Sequence, residues 1–281
     1  MSAPIVSAQT FTGDISGHVT DSSGLPVLGA EIAATAIATN DKFTTVTNSS
    51  GEYSIGFLKP GVYSVVFRAK GFKETVRTGL ELQLNQSRRL DQRLQLGSVS
   101  EAVEVTDVAS EVNYDSPEIA HNVGTEQLEN VPEVTDPGRG RSPFLLAKLL
   151  PGVTSTSSTN SNINNFSFGG GRPDTNEILI DGLPTTNPSD NTYTFTPSPD
   201  SLSEFKVITY PFFAEFGHTG GGVLLATTKG GTNEFHGQLY DYFRNRILNA
   251  RSFFQASNNA RYVQNDPGFN FGGPVMLPRY N

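Results

Sequence analysis

The sequence has no cysteine in its 281 residues, so it can form neither a disulfide framework nor a thiolate metal site. It also has no apolar run near the roughly 18–20 residues that a membrane-spanning helix needs. Positive charge is scarce, with 20 Lys and Arg against 28 Asp and Glu and a net charge of -8. Because phosphate binding needs clustered Lys and Arg, this balance argues against nucleic acid as a partner.

Charge of either sign is low, at 17% of the residues compared with about 25% in ordinary globular domains. Glycine, serine, threonine and asparagine take its place, with 28 glycines in the chain. These residues prefer turns and pleated surfaces to helix interiors. The composition therefore favours β-structure and loops, and the length predicts roughly two domains at about 150 residues each.

Residues 13–96 read as about seven short strands with turn signals between them, as in "DISGHVT", "KFTTVT" and "KPGVYSVVF". In "AEIAATAIAT" the alternation also allows a short helix. Strands at this spacing are typical of an all-β sandwich. The alternating apolar positions predict a core of Val19, Ile32, Tyr53, Ile55, Val65, Phe67 and Leu82.

Two segments flank this predicted domain. Residues 1–12 contain "VSA" before Gln9, a small-x-small pattern that fits either the end of a signal peptide or an ordinary frayed terminus. Residues 97–115 are acidic and rich in small residues, as expected of a linker, and contain one extended segment, "AVEVT".

The rest of the chain is mixed. Within residues 116–230, "TEQLENVP" predicts a short helix, and "RSPFLLAKLLPGV" predicts a helix with Phe144, Leu145, Leu146, Leu149 and Leu150 on one face. Two strands are predicted around "EILIDGLP" and "GGVLLATTKGG". Within 231–281, residues 232–246 and 267–277 alternate as strands do, with Phe235, Leu239 and Phe243 on one face of the first.

No residue pattern indicates catalysis or metal binding. The histidines, at 18, 121, 218 and 236, have no recognised zinc spacing. Asp181 follows a strand, as catalytic aspartates often do, but no base, nucleophile elbow or metal cluster accompanies it. We therefore expect no enzyme activity, no metal and no cofactor.

Three other segments allow a binding interpretation beside a structural one. "GGGRP" (Gly169–Pro173) could cradle an anion, although a tight turn is favoured because the phosphate-loop pattern is absent. Arg139 and Arg141 could face a ligand, although a solvated loop is favoured. Phe212, Phe213 and Phe216 could line a ligand surface, although core packing is favoured.

Three segments together resemble a protein family. "ISGHVTDSSGLPVLGAEI", with "TNSSGEYSIGFLKPGVYSVVFRAKGF" and "LQLG", resembles a carboxypeptidase-regulatory-like domain. "FGGGRPDTNEILIDGLPTTN" resembles the plug signature of TonB-dependent outer-membrane receptors, and "GHTGGGVLLATTKGGTNEFHGQLYDYFRN" resembles the junction between plug and barrel. The order of the pieces is similar to the Oar-like branch of that family.

The resemblance implies a mainly β fold in three parts. These are an N-terminal seven-stranded β-sandwich (prealbumin-like, carboxypeptidase-regulatory-like) at 13–96, an α+β plug domain at 116–230, and the first strands of a truncated transmembrane β-barrel at 231–281. The plug signature is formed by Ile178, Leu179, Ile180, Asp181, Gly182, Leu183 and Pro184. A plug fills the lumen of a barrel that, at roughly 22 strands, would otherwise be open.

The resemblance also implies partners and a location. The segment Ala102, Val103, Glu104, Val105 and Thr106 resembles a TonB box, the extended peptide that pairs with a strand of the energy-transducing protein TonB; the alternative is a plain linker strand. The expected location is the cell outer membrane, with the sandwich and plug on the periplasmic and lumenal side. Lipid would contact the barrel, and an oligosaccharide or a peptide are candidate ligands.

A second function class fits part of the sequence. Related sandwich folds are often described as carbohydrate-binding-like, so the chain could instead be a secreted or surface binding or adhesion module whose sandwich contacts carbohydrate or protein. The sequence offers no exposed aromatic platform to support that alternative.

Overall fold

The computed structural model describes residues 12–97, 102–106, 118–130, 135–136, 140–155, 166–173, 175–187, 189, 193, 195–210, 216–217, 219–248 and 263–275. Apart from Thr12, the predicted tail at 1–12 lies outside these residues. Arg139, Phe212, Phe213 and His218 lie outside them as well. The chain divides into two compact units, 1–230 and 231–281.

The first unit begins with a two-sheet β-sandwich. One sheet has the order β4-β1-β7, with β8 also pairing with β1, and the other has the order β3-β2-β5-β6-β9. The strands are β1 (Gly13–Thr20), β2 (Glu31–Ala36), β3 (Lys42–Val46), β4 (Glu52–Leu58), β5 (Gly61–Arg68), β6 (Glu74–Leu82), β7 (Ser87–Arg89), β8 (Gln92–Arg93) and β9 (Ala102–Thr106).

The core of the sandwich lies between the two sheets and follows the period-two alternation of the strands. In β5, Tyr63, Val65 and Phe67 are buried, while the residues between them are partly exposed. Tyr53 of β4 meets Phe67 edge-to-face with ring centroids 5.8 Å apart, which joins one sheet to the other. All seven residues predicted for this core are buried.

Two details of the predicted sandwich differ from the structure. "AEIAATAIAT", which allowed a helix, forms strand β2, because Ile32 and Ala34 pack into the core while the backbone pairs with β3 and β5. The segment "SRRLDQRLQL", whose alternation predicts one last strand, is divided into β7 and β8, and both run parallel to β1. The buried Thr47 connects two backbone segments by hydrogen bonds. Its Oγ1 accepts a hydrogen bond from the Ala30 N–H (2.9 Å) and donates one to the Val27 carbonyl (2.6 Å).

The plug region of the first unit is built on a second mixed sheet of order β10-β17-β18-β15-β16. Its elements are β10 (Ile119–Val123), helix α1 (Thr125–Asn130), β11 (Thr135–Asp136), β12 (Gly140–Arg141), a 3-10 helix (Pro143–Leu149), β13 (Val153–Ser155), β14 (Phe166–Phe168), β15 (Glu177–Ile180), β16 (Leu183–Pro184), a 3-10 turn (Pro199–Ser201), β17 (Leu202–Tyr210) and β18 (Val223–Thr228).

The central strands of this sheet are buried on both faces. On one face, Phe205 and Val207 of β17 join a cluster rich in aromatic residues, in which Phe144 packs edge-to-face on Phe205 with ring centroids 5.9 Å apart. On the other face, Ile208 packs in a smaller cluster that includes Leu84, a residue of the sandwich. Burial on both faces explains why β18 begins with the continuous apolar run "VLLA".

The segment "PFLLAKL" forms a 3-10 helix (Pro143–Leu149), and its predicted apolar face is wrong in one position. Five consecutive residues, from Pro143 to Ala147, are buried, whereas Leu149 is 72% exposed. A continuous buried run has no polar side from which a helix face can be recognised. The helical periodicity therefore predicted Leu149 on the apolar face, although its side chain is exposed.

The second unit contains a long antiparallel hairpin formed by β19 (His236–Asn245) and β20 (Val263–Gly272), with a 3-10 turn (Arg246–Leu248) after β19. Leu239 pairs with Phe269 and is 87% exposed. Phe235, Phe243, Phe269 and Phe271 are also exposed, so the predicted apolar face of β19 continues onto β20.

Strand β20 begins and ends earlier than the predicted 267–277. It includes Pro267. Proline lacks a backbone N–H, and an edge strand tolerates it where that group would point away from the paired strand. It ends at Gly272, where Gly273 and Pro274 follow. None of the described helices combines the length and the apolar character that crossing a membrane would require.

Candidate functional site

The segment predicted to be a TonB box or a plain linker strand, Ala102–Thr106, forms strand β9. It pairs in parallel with β6 of the sandwich, with register from Glu74 opposite Ala102 to Thr78 opposite Thr106. The sequence interpretation did not foresee this partner. Its signal in the sequence is weak, because parallel pairing joins segments that are distant along the chain and leaves no local turn motif.

The plug-signature segment is a tight hairpin. Strand β15 ends at Ile180, the chain reverses through Asp181 and Gly182, and β16 returns with Ile180 opposite Leu183. Asp181 and Gly182 both have positive φ, at 50° and 83°. A two-residue hairpin turn of this kind requires positive φ at both positions, which is why the Asp-Gly pair suits it.

The Asp181 side chain fastens this turn to the next strand of the sheet. One carboxylate oxygen accepts the backbone N–H of Thr228 (2.9 Å) and the other accepts its hydroxyl (2.8 Å). The Asp181 N–H in turn donates to the Ala226 carbonyl (2.9 Å). The aspartate therefore fixes the end of β18, immediately before the chain leaves the plug region.

The glycine-dense segment that leads into β18 lies in close contact with its neighbours. Asn176 joins two sides of this region, since its Nδ2 donates to the Phe166 carbonyl (2.7 Å) and its Oδ1 accepts the Gly222 N–H (3.3 Å). A Cβ on Gly222 would lie only 2.6 Å from the Ile208 carbonyl oxygen and 2.6 Å from Cβ of Phe168. Only glycine fits this approach without displacing β17 or a core phenylalanine.

Of the other candidate binding segments, "GGGRP" is described completely, and the arginine and phenylalanine sets are described in part. "GGGRP" contains a turn with positive φ at Gly169 and Gly170. Phe216 is buried in the smaller plug cluster, as the core interpretation predicted.

Arg141 does not lie on a solvated loop, so that expectation was wrong. Its side chain is 7% exposed and forms an ion pair with the equally buried Asp200 (2.8 Å). This pair joins β12 to the 3-10 turn that precedes β17. Because a buried charge is tolerated only when it is paired, the two residues depend on each other.

A second buried ion pair lies where the sandwich meets the plug region. Lys206 Nζ on β17 pairs with a carboxylate oxygen of Glu118, which directly precedes β10, and both side chains are nearly inaccessible. The same ammonium donates to the backbone carbonyl of Asn85 in the sandwich (3.2 Å). Lys206 thus contacts Asn85, which precedes β9 in the sequence, and Glu118, which follows it.

Glu204, two residues earlier on β17, is also buried. Burial raises the pKa of its carboxyl group, and the hydrogen bond from Asn122 Nδ2 (2.8 Å) opposes this rise. The nearby carboxylate of Glu81, on β6 of the sandwich, raises the pKa further. The charge of Glu204 is therefore disfavoured in the folded chain.

The described histidines are dispersed over separate elements. His18 lies on β1, 3.8 Å from Glu52, His121 on β10 and His236 on β19. Among the residues that the structure describes, no group of three or more His, Cys, Asp or Glu side chains is placed to hold a metal ion.

Three protein-family models match the chain in succession. The carboxypeptidase regulatory-like domain matches residues 14–95, the TonB-dependent receptor plug domain matches 113–223, and the outer membrane beta barrel domain matches 227–279. The chain has the domain order of an Oar-like TonB-dependent receptor. The resemblance inferred from the sequence and the mainly β fold class are thereby confirmed.

A curated relative agrees with this order. The chain is 29% identical to the TonB-dependent transporter Oar of Myxococcus xanthus, an alignment that covers 96% of the chain and 26% of that protein. The chain thus spans about a quarter of the length of the relative it matches.

Two solved structures that match the chain have lower sequence identity. The siderophore receptor PirA from Acinetobacter baumannii is 24% identical over 56% of this chain and 22% of its own, with a TM-score of 0.39. The Bacillus anthracis TIE protein is 19% identical over 30% of this chain and 16% of its own, with a TM-score of 0.27. The likeness to TonB-dependent receptors rests on the sequence matches.

The matched family consists of receptors and transporters rather than enzymes. The plug and barrel matches also support the predicted location in the cell outer membrane.

Proposed function

We propose that the chain forms the periplasmic sandwich, the plug and the first barrel strands of a TonB-dependent receptor that takes up a ligand across the outer membrane with energy supplied through TonB. The observation that carries the proposal is the order of parts along the chain. A folded sandwich is followed by the short extended strand β9, then by a plug sheet, then by an amphipathic hairpin. Such a receptor needs its TonB-binding peptide between the sandwich and the plug.

The proposed TonB box is Ala102–Thr106. An extended peptide binds a partner strand through backbone hydrogen bonds, while its alternate side chains set the register. The segment adopts the required extended conformation, since it is a strand in the structure.

The proposed function needs no enzymatic step and no bound cofactor. Asp181 supports this reading, because both of its carboxylate oxygens accept hydrogen bonds from Thr228 and so serve the plug fold. The ligand would be recognised elsewhere in the receptor; an oligosaccharide and a peptide are the candidate classes.

The hairpin β19–β20 would form the start of the barrel wall and meet outer-membrane lipid. Its apolar side chains at Leu239, Phe243 and Phe269 are exposed, as expected of a face that needs an apolar surrounding. On the other face, Tyr240 and Tyr242 lie with ring centroids 5.3 Å apart, and Gln238 accepts a hydrogen bond from Asn270 (3.4 Å). The alternation of an apolar and a more polar face is typical of barrel strands.

A substitution in β9 tests the proposal. In the full-length receptor, Val103→Pro or Val105→Pro removes a backbone donor that strand pairing needs. We expect TonB-dependent uptake to be lost while ligand binding at the cell surface is kept. Val103→Thr and Val105→Thr are the matched controls, because they keep both the N–H group and a β-branched side chain. Uptake at the wild-type rate in both proline variants would show that the TonB box lies elsewhere.

A further inference from the structure

Strand β9 follows the predicted sandwich in the sequence but lies at the edge of one of the two sandwich sheets. The sandwich sheet has the order β3-β2-β5-β6-β9, so β9 is its terminal strand. It is held in parallel register along five residue pairs, and β6 is its one strand partner among the described residues.

Among the strands that the structure describes, none pairs with the other edge of β9. Backbone N–H and C=O groups along a strand point alternately to its two edges, so one neighbour engages only about half of them. The remaining groups in Ala102–Thr106 form a template for a further strand. This makes β9 able to hold β6 and a second partner at the same time.

The composition of β9 also differs from that of a guarded edge. Natural edge strands are commonly protected by lysine, proline or a bulge. Strand β9 has none of these in "AVEVT", and three of its five residues, Val103, Val105 and Thr106, are β-branched. By contrast, β3 at the opposite edge of the same sheet begins with the exposed Lys42. Only one of the two edges therefore carries a lysine, and the one charge on β9 is Glu104.

The chain just before β9 is anchored next to the start of β6. The Lys73 N–H donates to the Gln95 carbonyl (2.8 Å) and the Gly97 N–H donates to the Gly71 carbonyl (3.1 Å). Only residues 98–101 separate this anchor from Ala102. A tether this short gives β9 a high effective concentration at the β6 edge, in the millimolar range or above for short linkers.

We propose that the sandwich presents β9 to TonB, which adds a strand to the open edge of β9 while β9 stays on β6. The result would be a six-stranded sheet of order β3-β2-β5-β6-β9-TonB. This inference rests on the proposed function, because it takes β9 as the TonB box. A strand that is already ordered loses less conformational entropy on binding than a disordered peptide, so presentation favours capture. In the opposite arrangement, β6 would compete with TonB and the sandwich would hide the box.

A reversible covalent lock between β6 and β9 separates the two arrangements. Val76 lies directly opposite Glu104 in the parallel register, and directly opposite residues are close enough for a disulfide. Val76 is partly exposed, unlike the buried Thr75 beside it, so its replacement spares the sandwich core. The chain contains no other cysteine, so within one molecule Val76→Cys and Glu104→Cys can pair only with each other.

The measurement is the affinity of a purified periplasmic TonB domain for the 281-residue double variant in mild detergent, oxidised and then reduced. We expect the two values to agree within about threefold, or the oxidised form to bind more tightly. A loss of more than about tenfold on oxidation that reduction restores would overturn the proposal, because β6 would then be a competitor. Failure of the two cysteines to join under mild oxidation would also overturn it, since the strands would not be neighbours.

A proline control distinguishes failure of this inference from failure of the proposed function. Val105→Pro in the otherwise unaltered chain should abolish TonB binding if β9 is the box. Unchanged binding in that variant would refute the assignment of the box itself. Loss of binding both with proline and with the lock would keep the box but reject its presentation on the sandwich.

Discussion

Gly222 offers a direct test of how closely the plug strands are packed. This residue precedes β18, and its backbone φ is not in the left-handed region, so a substitution acts through space alone. In Gly222→Ala, the new methyl group would lie 2.6 Å from the Ile208 carbonyl oxygen and 2.6 Å from Cβ of Phe168. Neither neighbour can move easily, because Ile208 is paired with Val223 in the β17–β18 ladder and Phe168 is fully buried.

The expected cost of Gly222→Ala follows from these distances. Overpacking a tight interior by one methyl group costs roughly 1–3 kcal/mol. Local opening of β17 and β18 should then be about 5- to 150-fold more frequent. Hydrogen–deuterium exchange followed by mass spectrometry measures this directly on peptides from the two strands. Peptides from β5 in the sandwich should exchange at the unaltered rate and serve as an internal reference.

Gly230→Ala is the matched control for this experiment. No atom lies within 4 Å of a Cβ added at Gly230, and its φ is likewise unexceptional. The control carries the same loss of unfolded-state freedom, which by itself stabilises a protein by about 0.4–1 kcal/mol. If Gly222→Ala protected β17 and β18 as well as Gly230→Ala does, the close approach of these strands would be refuted.

Three further predictions concern other parts of the chain. Thr47→Val should lower the free energy of unfolding of the sandwich by about 1–3 kcal/mol in urea titrations, because it leaves two buried backbone groups without partners, whereas Thr44→Val on the exposed face should not. Since burial raises the pKa of Glu204, this carboxyl group stabilises the fold below its ordinary pKa of about 4.3 and loses that contribution as the pH rises through the higher folded value. The melting temperature of Glu204→Gln, measured relative to that of the unaltered chain, should therefore be higher at pH 7 than at pH 4. If this difference were the same at both pH values, the raised pKa of Glu204 would be contradicted. Deleting residues 231–281 should convert a chain that associates without detergent into one that elutes as a monomer in size-exclusion chromatography, because Leu239 and the other exposed apolar side chains of the hairpin are removed; a monomeric full chain would argue against the barrel-strand assignment.

Local sequence patterns were sufficient to predict most of the sandwich. Strict alternation fixes which side chains face the core, so residues such as Val65 and Phe67 could be placed from the sequence alone. The Asp181–Gly182 turn could be predicted as well, because an Asp-Gly pair between two extended segments selects a tight reversal. In these places the information lies within a few residues of the feature it determines.

The contacts that could not be predicted join distant parts of the chain. The partner of β9 lies on β6, and the partner of Arg141 is Asp200. Neither pair produces a periodic pattern or a turn motif in the sequence. A Gly- and Pro-rich segment predicts a solvent-exposed loop, so the burial of its arginine becomes evident only when the partner is known. The Lys206–Glu118 pair is a third case, since both residues depend on how the plug sheet is assembled.

The edge position of β10 determines the order in which the plug region would come apart under load. The backbone leads from β9 to Glu118 and then directly into β10, so tension applied at β9 reaches the plug sheet there first. Strand β10 is held by a single ladder of five registered pairs to β17, whereas β17 and β18 each have two neighbours. An edge strand can be peeled away by breaking one ladder, while an inner strand must break two. Under such tension we expect the Lys206–Glu118 pair and the β10–β17 ladder to break before the strands that carry the aromatic core are disturbed.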